Sequence, residues 1–406
     1  MRTRAWWVVF ALASLSAPAA SQTVLSEPDA LARLSVESPR VRAIVAGIDL
    51  ARADVMAAAR WPNPRVTIDR ESVAGVTEHI TTVGLVLPIT GRRGLEVDAA
   101  DALVEASTSR AGDQVRRARA DLRIAFADLA AAQASEEELV RARDRLRELA
   151  EVLGKREAAG ESAGFDRIRA EREVLDLEGD LSAALADRAR AQGALVGFFA
   201  ESGDVLTVRV APSAGVRAMI PAVDALIARA EAVRGELTAL GHEIQSARFA
   251  ERAADRRRIP EPELVGGTKA SSVGSGDIGS VIAVYATIPL FDRSQPERAM
   301  ARARASQARA RADAFRLTLR AQIASLRAAV LQRREAADQY RARAIGNADQ
   351  LERIAQVSYD AGERGILELL DAYRSGSTAR IRQVALDAAA RQVEIELEFV
   401  SGWEIP

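Results

Sequence analysis

The sequence LVLPIT at residues 85–90 has a counterpart, TIPLFD, at residues 287–292, and this pair is the clearest guide to the architecture. The prolines of the two stretches, Pro88 and Pro289, lie 201 residues apart. In both places a strand-like run precedes the proline, and a run rich in alanine, arginine and glutamate follows it. A proline cannot donate a hydrogen bond to a sheet, so this order predicts a strand that ends shortly before a helix begins.

Two further pairs of landmarks repeat at almost the same distance. Pro64 and Pro262 each precede a strand-like run and lie 198 residues apart, whereas Gly160 and Gly362 each interrupt a helical run and lie 202 residues apart. Three landmarks in the same order at a nearly constant offset predict two copies of one structural unit. The predicted repeats are residues 21–205 and residues 206–406.

Each predicted repeat contains a helix, a β-hairpin and a helical hairpin. The β-hairpins extend from Pro64 to Pro88 and from Pro262 to Pro289, and their strands are close to the ~9–11 residues of a tilted membrane-spanning strand. The same pattern also fits an ordinary soluble hairpin. The predicted strands are 65–74, 79–88, 263–270 and 280–289. The predicted helices are 39–60, 94–156, 165–199, 222–258, 296–359 and 366–400, so that the helical hairpins occupy 92–200 and 296–400.

The longest predicted helices need partners along their whole length. A proline-free run of some 60 residues forms a rod of about 90 Å. Leu139, Ala142, Leu146, Leu149 and Leu153 follow one another at intervals of three and four residues, the spacing of a coiled-coil seam. Alanine at many seam positions lets helix axes approach closely. The sequence therefore predicts long antiparallel coiled-coil hairpins with narrow seams.

Composition excludes several classes of function. The 406 residues include 56 basic and 57 acidic residues, which argues against a nucleic-acid-binding protein. Cysteine is absent, and the two histidines, His79 and His242, are far apart in the sequence. We therefore expect no metal site and no cofactor. With no nucleophile–histidine–acid set and no glycine-rich phosphate loop, we do not expect an enzyme.

The N-terminus is typical of a secretory signal peptide, predicted over residues 1–20. Arg2 and Arg4 precede an apolar run at 5–15 and the small-residue sequence APA at 17–19. No later run approaches the ~18 consecutive apolar residues of a membrane-spanning helix. The processed chain is then either soluble outside the cytoplasm or crosses a membrane as strands. Four strands are too few to close a membrane barrel, so the second alternative requires several chains to pool their strands.

These features together resemble the TolC family of outer-membrane efflux proteins, and most of all its branch that serves RND-type heavy-metal and drug pumps. The resemblance rests on the duplicated unit, the strand-boundary prolines, and the sequences PLFD at 289–292 and YDAG at 359–362. It covers essentially the whole processed chain. It implies a mainly α-helical fold with a small β part. Three chains would form a 12-stranded β-barrel in the outer membrane, continuous with a periplasmic α-helical barrel.

The resemblance also implies functional residues at the helical turns farthest from the membrane. Gly160 and Gly362 would form these turns. In the family, a network across neighbouring helices closes the periplasmic end, and an acidic ring lines the constriction. By similarity, Tyr359 and Arg364 would bind Asp166, and Glu368 and Asp371 would face the pore. The ion-pairing residues also fit a simpler interpretation, because an acid such as Asp166 near a helix N-terminus is stabilising in any helix.

The function implied is that of a passive export conduit in the outer membrane. Its partners would be two other copies of itself in a homotrimer, a periplasmic adaptor protein, an RND-type inner-membrane pump and outer-membrane lipid. The alternative from the residues alone is a soluble periplasmic coiled-coil adaptor or structural protein. The two predicted β-hairpins favour the conduit, because an adaptor usually needs one helical hairpin and no duplicated strand pairs.

Overall fold

A computed structural model describes residues 24–160, 164–199, 205–212, 218–273 and 276–403. The predicted signal peptide, 1–20, lies outside these ranges. Within them the chain is mainly helical and contains one four-stranded sheet and one two-stranded sheet. The predicted fold class, mainly α with a small β part and long helical hairpins, is confirmed.

The elements of the first half run from a short strand to a return helix. They are β1 (Val24–Leu25), α1 (Glu27–Arg33), α2 (Pro39–Ala58), β2 (Arg65–Val73), β3 (Val76–Val86), α3 (Arg92–Ala158) and α4 (Gly164–Val196). Helix α3 has 67 residues and is therefore about 100 Å long.

The second half continues with the same classes of element. They are a short 3₁₀ turn (Val205–Thr207), β4 (Arg209–Val210), α5 (Val223–Val233), α6 (Gly235–Arg256), β5 (Pro262–Ser271), β6 (Ile278–Ala286), α7 (Gln295–Tyr340), a π-helical turn (Arg341–Ile345), α8 (Gly346–Asp360) and α9 (Ile366–Ser401). The short strands β1 and β4, which the sequence reading missed, pair in parallel.

The four predicted strands form one antiparallel sheet in the order β2-β3-β5-β6. β2 and β3 form one hairpin, and β5 and β6 form the other. β3 pairs with β5, so that Leu85 lies opposite Leu264 and joins the two hairpins edge to edge. All four strand ends nearest the helices lie at the same edge of the sheet, because Arg65 pairs with Gly84 and Pro262 with Ala286.

The same tight turn follows β3 and β6. The amide of Ile89 donates to the carbonyl oxygen of Leu87, and the amide of Leu290 donates to that of Ile288, each at 2.9 Å. Hydrogen bonds between residues i and i+2 define γ-turns, whose central φ suits proline. Pro88 and Pro289 are those central residues, so β3 and β6 end at Val86 and Ala286, two to three residues earlier than predicted.

The predicted helix over 222–258 is wrong as a single helix. The structure breaks it at Arg234, between α5 and α6. One carboxylate oxygen of Asp113, on α3, accepts a hydrogen bond of 3.0 Å from the amide of Glu236 at the start of α6. Gly235 lies so close to α3 that a Cβ there would overlap the carbonyl oxygen of Ser109. A neighbouring helix therefore supplies the N-terminal cap, and glycine permits the approach.

Burial raises the pKa of a carboxyl group, but at Asp113 this effect is outweighed. Hydrogen bonds from Gly235, Arg116 and Glu236, together with the charge of Arg234, hold the pKa of Asp113 below its usual value. A carboxyl group whose pKa is lower in the folded than in the unfolded state stabilises the fold at pH values above its unfolded pKa. This stabilisation is lost as the pH falls through the folded pKa. Asp113 is therefore ionised at neutral pH and serves as a permanent cap.

The predicted helix over 296–359 is also interrupted. Between α7 and α8 the chain makes the π-helical turn Arg341–Ile345. A π-helical turn inserts one extra residue and redirects the helix without ending it. The buried side chains along these rods include Leu319, Ile323 and Val330 on α7.

Candidate functional site: the exposed sheet face and the helical tip

One face of the four-stranded sheet is largely apolar and exposed, although Arg70 and His79 also lie on it. Residues opposite one another in neighbouring strands share a face, and alternate residues of a strand share it too. By the observed register, this face carries eight large apolar side chains that are 38–82% exposed. They are Val66, Ile68, Val83, Leu85, Leu264, Ile278, Ile282 and Val284. In the described part of the four strands only Gly84 and Val265 are buried, so no layer of the chain covers this face.

The opposite face is mixed and carries most of the charged side chains of the sheet, beside apolar residues such as Ile80, Val265 and Val281. It carries Thr67, Asp69, Thr82 and Lys269, and Lys269 forms a 2.6 Å ion pair with Glu78. A sheet with a mainly apolar face opposite a more polar one is suited to a boundary between an apolar and an aqueous environment. Its outer strands, β2 and β6, each pair on one side only in a single chain. Their free edges are therefore available to strands of another chain.

No helix in the described part of the chain is long and apolar enough to cross a membrane. Among the described residues, no group of three or more histidine, cysteine, aspartate or glutamate side chains is arranged to hold a metal ion. His79 lies on the sheet opposite Arg70 and Ala270, and His242 lies on α6.

The tip, the end of the helices farthest from the sheet, contains the predicted turn residues. Gly160 and Gly362 have φ values of +75° and +74°, a conformation that glycine adopts without strain. Below them, α3, α4, α8 and α9 share a buried cluster that includes Leu149, Leu153 and Leu369. The two helical turns thus belong to one packed end of the molecule.

At the tip, Tyr359 faces Arg156 of α3, a residue that the sequence reading did not single out. The Arg156 guanidinium lies 5.7 Å from the centre of the Tyr359 ring. Burial raises the pKa of the Tyr359 hydroxyl, and the Asp166 carboxylate acts in the same direction, while Arg156 opposes both. Tyr359 and Arg156 are therefore in contact within one chain.

The other predicted tip residues are less constrained. Arg364, Glu368 and Asp371 are exposed, and within the described residues their side chains make no hydrogen bond or ion pair, while the backbone amide of Arg364 donates to the carbonyl oxygen of Ser358. Within the described residues of one chain, no ion pair joins Arg364 to Asp166. The predicted roles of Asp166, Tyr359, Arg364, Glu368 and Asp371 stay predictions.

Sequence reasoning also missed a partly buried ionic network midway along the molecule, in which Glu398 is the buried member. Arg123 on α3 pairs with Glu27 of α1 at 2.5 Å and with Glu398 of α9. Arg391 of α9 also reaches Glu27, at 3.3 Å. Burial raises the pKa of Glu398, although the hydrogen bond from Arg123 opposes this. The network ties the start of the chain to α3 and α9.

Comparisons with known proteins agree with this architecture. A family model described as outer membrane efflux protein matches residues 226–402. The cobalt-zinc-cadmium resistance protein CzcC of Cupriavidus metallidurans is 22% identical over 367 residues, which cover 87% of this chain and 84% of CzcC.

Two solved structures have a similar fold. A membrane protein from Pseudomonas aeruginosa superposes with a TM-score of 0.76 at 20% identity, covering 93% of each chain. The outer membrane protein VceC from Vibrio cholerae superposes with a TM-score of 0.74 at 18% identity, covering 94% of this chain and 97% of that one.

Proposed function

We propose that this chain, a member of the TolC family of outer-membrane efflux proteins, is the outer-membrane conduit of a tripartite efflux system. Its sheet lies in the outer membrane and its helices extend into the periplasm. Cargo passes through without chemical change, and the pump selects it. CzcC is named for resistance to cobalt, zinc and cadmium, and by that likeness we propose heavy-metal ions as the first cargo class to test.

The observation that carries this proposal is the uncovered apolar face of a sheet whose two edge strands are free. Water does not favour eight exposed large apolar side chains on one face. Lipid would cover them, and neighbouring copies would pair with β2 and β6. We propose a homotrimer in which three such sheets close a 12-stranded barrel, since four strands cannot close one alone. The proline turns after β3 and β6 further support 21–205 and 206–406 as two copies of one unit.

A lysine in place of Ile282 tests the position of the apolar face. Ile282 is 82% exposed in one chain, and burying a lysine on a lipid-facing strand costs about 2–4 kcal/mol near the bilayer midplane. We expect Ile282→Lys to reduce sharply the amount of chain recovered in carbonate-washed outer membranes. The matched control is Thr67→Lys, on the opposite, more polar face, which we expect to insert normally.

Two outcomes would contradict the conduit. If the unaltered chain is released by the carbonate wash, the alternative of a soluble periplasmic protein is favoured. If Ile282→Lys and Thr67→Lys insert equally well, the apolar face does not contact lipid.

We further propose that the tip is the closed end of the conduit. Tyr359, Asp166, Arg156 and Arg364 would hold neighbouring helical hairpins together, while Glu368 and Asp371 line the opening. Pairs between helices can bias a two-state opening, and an acidic ring attracts cations. The periplasmic adaptor would dock at this end, with the RND-type pump behind it.

Serine in place of Arg364 is expected to raise the single-channel conductance severalfold in planar bilayers, because it removes a cation that holds the tip closed. The control is Arg382→Ser, which removes an exposed arginine of α9 that lies farther from the tip. It should leave the conductance unchanged. Intact trimers of Arg364→Ser with the conductance of the unaltered protein would exclude this residue from the closure.

A further inference from the structure

Exposed arginines and apolar side chains surround the sheet where its strands meet the helices. This surface, which we call the collar, includes the segments before β2 and β5 and after β3 and β6. Its exposed arginines are Arg60, Arg256, Arg257, Arg258 and Arg293. Its exposed apolar side chains are Trp61, Ile89, Ile259, Ile288, Leu290 and Phe291, and Phe291 is 95% exposed.

The strand register fixes the level of the collar. Because the starts of β2 and β5 and the ends of β3 and β6 lie at one edge of the sheet, the collar adjoins that edge. The apolar face reaches this edge through Leu85, Leu264 and Val284. The collar is thus continuous with the face that we assign to lipid.

The positive charge of the collar is not balanced by its own acids. Glu96 and Glu261 both pair with Arg92, at 2.8 and 2.9 Å. Asp255 pairs with Arg298 at 3.4 Å, and Glu297 pairs with Arg257 at 3.2 Å. Asp292, the remaining collar acid, is exposed and accepts a 3.0 Å hydrogen bond from the amide of Ser294.

Four exposed collar arginines stand outside these pairs. In the described part of the chain, Arg60, Arg256, Arg258 and Arg293 make no ion pair with a carboxylate, and Arg60 donates a 3.3 Å hydrogen bond to the carbonyl oxygen of Ala57. Their guanidinium groups are therefore free to bind an external anion.

A cavity of about 400 Å³ opens beside Trp61 in the collar. The Arg93 guanidinium lies 4.8 Å from the centre of the Trp61 ring and also donates a 2.9 Å hydrogen bond to the carbonyl oxygen of Ala59. Arg60 lines the same cavity. A tryptophan next to arginines is typical of the level at which a protein meets lipid headgroups.

We propose that the collar binds the phosphate groups of anionic phospholipids in the leaflet that faces the helices. This inference rests on the proposed function, since it requires the sheet to lie in a membrane. Charge complementarity selects the ligand: free guanidinium groups bind phosphate, and each basic residue near an anionic bilayer strengthens the attraction. The exposed apolar side chains of the collar would enter the adjoining acyl-chain region.

Trp61 provides the probe for the test. The full chain carrying Trp403→Phe is reconstituted into phosphatidylcholine vesicles. Trp6 and Trp7 lie in the predicted signal peptide, so Trp61 would be the remaining fluorophore after processing. A minor fraction of either phosphatidylglycerol or phosphatidylcholine carries bromine on its acyl chains near the glycerol. We expect brominated phosphatidylglycerol to quench Trp61 about threefold more strongly than brominated phosphatidylcholine, with the difference reduced by high salt.

A triple variant tests the collar arginines. Arg256→Gln, Arg258→Gln and Arg293→Gln together should abolish the preference for phosphatidylglycerol while leaving quenching by phosphatidylcholine intact. The control removes three exposed arginines near or along the helical hairpins, Arg169→Gln, Arg353→Gln and Arg382→Gln, and should keep the preference.

The possible failures are distinguishable. Equal quenching by the two lipids in the parent protein would overturn the collar proposal and leave the conduit standing. A preference that survives the collar variant would overturn the role of these arginines. Absence of quenching by either lipid would mean that the sheet is not in the bilayer, and both proposals would fail.

Discussion

Alanine in place of Gly235 is expected to lower the free energy of unfolding by about 2–3 kcal/mol, the cost of overpacking a tight contact. The added Cβ would overlap the carbonyl oxygen of Ser109 on α3, and a backbone atom cannot move aside as a flexible side chain can. Helices α3 and α6 must then separate. Their separation would also weaken the hydrogen bond from Glu236 to Asp113.

The measurement is the thermal unfolding midpoint of the purified protein in detergent at one fixed scan rate, because large membrane assemblies unfold irreversibly. Gly241→Ala, on the same helix, is the matched control, since a Cβ at Gly241 has no heavy atom within 4 Å. It should leave the midpoint unchanged or raise it slightly, because alanine favours the helix. Equal midpoints for the two variants would show that the approach of α6 to α3 is not tight.

Methionine in place of Arg123 is expected to destabilise the protein by about 3–5 kcal/mol, the usual cost of removing one partner from a buried ion pair. The change would leave Glu398 buried without its principal partner and deprive Glu27 of one of two. The control is Arg172→Met, which breaks an exposed 3.2 Å pair with Asp176 and should cost less than about 0.5 kcal/mol.

The pH dependence identifies the cause of this loss. Burial already raises the pKa of Glu398 in the folded protein. The stability that Glu398 contributes is therefore present at pH values below its unfolded pKa and is lost as the pH rises through its folded pKa. Without Arg123 the pKa of Glu398 should rise further. The deficit of Arg123→Met should therefore be greatest at neutral pH and shrink as the pH falls through the raised pKa of Glu398, where this carboxyl group takes up a proton. A deficit that does not change with pH would point to lost packing instead.

The sheet and the long helices were predictable because their signals are local. The strand boundaries are marked by four prolines, Pro64, Pro88, Pro262 and Pro289. The leucine spacing along α3 can be recognised from a short segment of the sequence. The break at Arg234 was not predictable, because its cause is the contact of Gly235 with Ser109, on a different helix. No proline in the sequence marks the helix break at Arg234.

In the candidate sites, too, the features that depend on local sequence were predictable, and those that depend on contacts between distant segments were not. The apolar face could be inferred in part from alternation in single strands, but its eight-residue extent depends on the pairing of β3 with β5. Arg156 beside Tyr359 and Arg123 beside Glu398 depend on how distant helices pack. Arginine occurs so often along these helices that its position in the sequence does not distinguish a buried partner from a solvated one.

The pairing of β3 with β5 also sets the order of events during biogenesis. Its paired residues are 177–193 positions apart in the chain, from Val86 with Glu263 to Glu78 with Ser271. The first hairpin is therefore synthesised before its long-range neighbour exists, and such non-local pairing is slow. During that interval its apolar face and strand edges are prone to aggregation. The two hairpins can join only after the second half of the chain has been made.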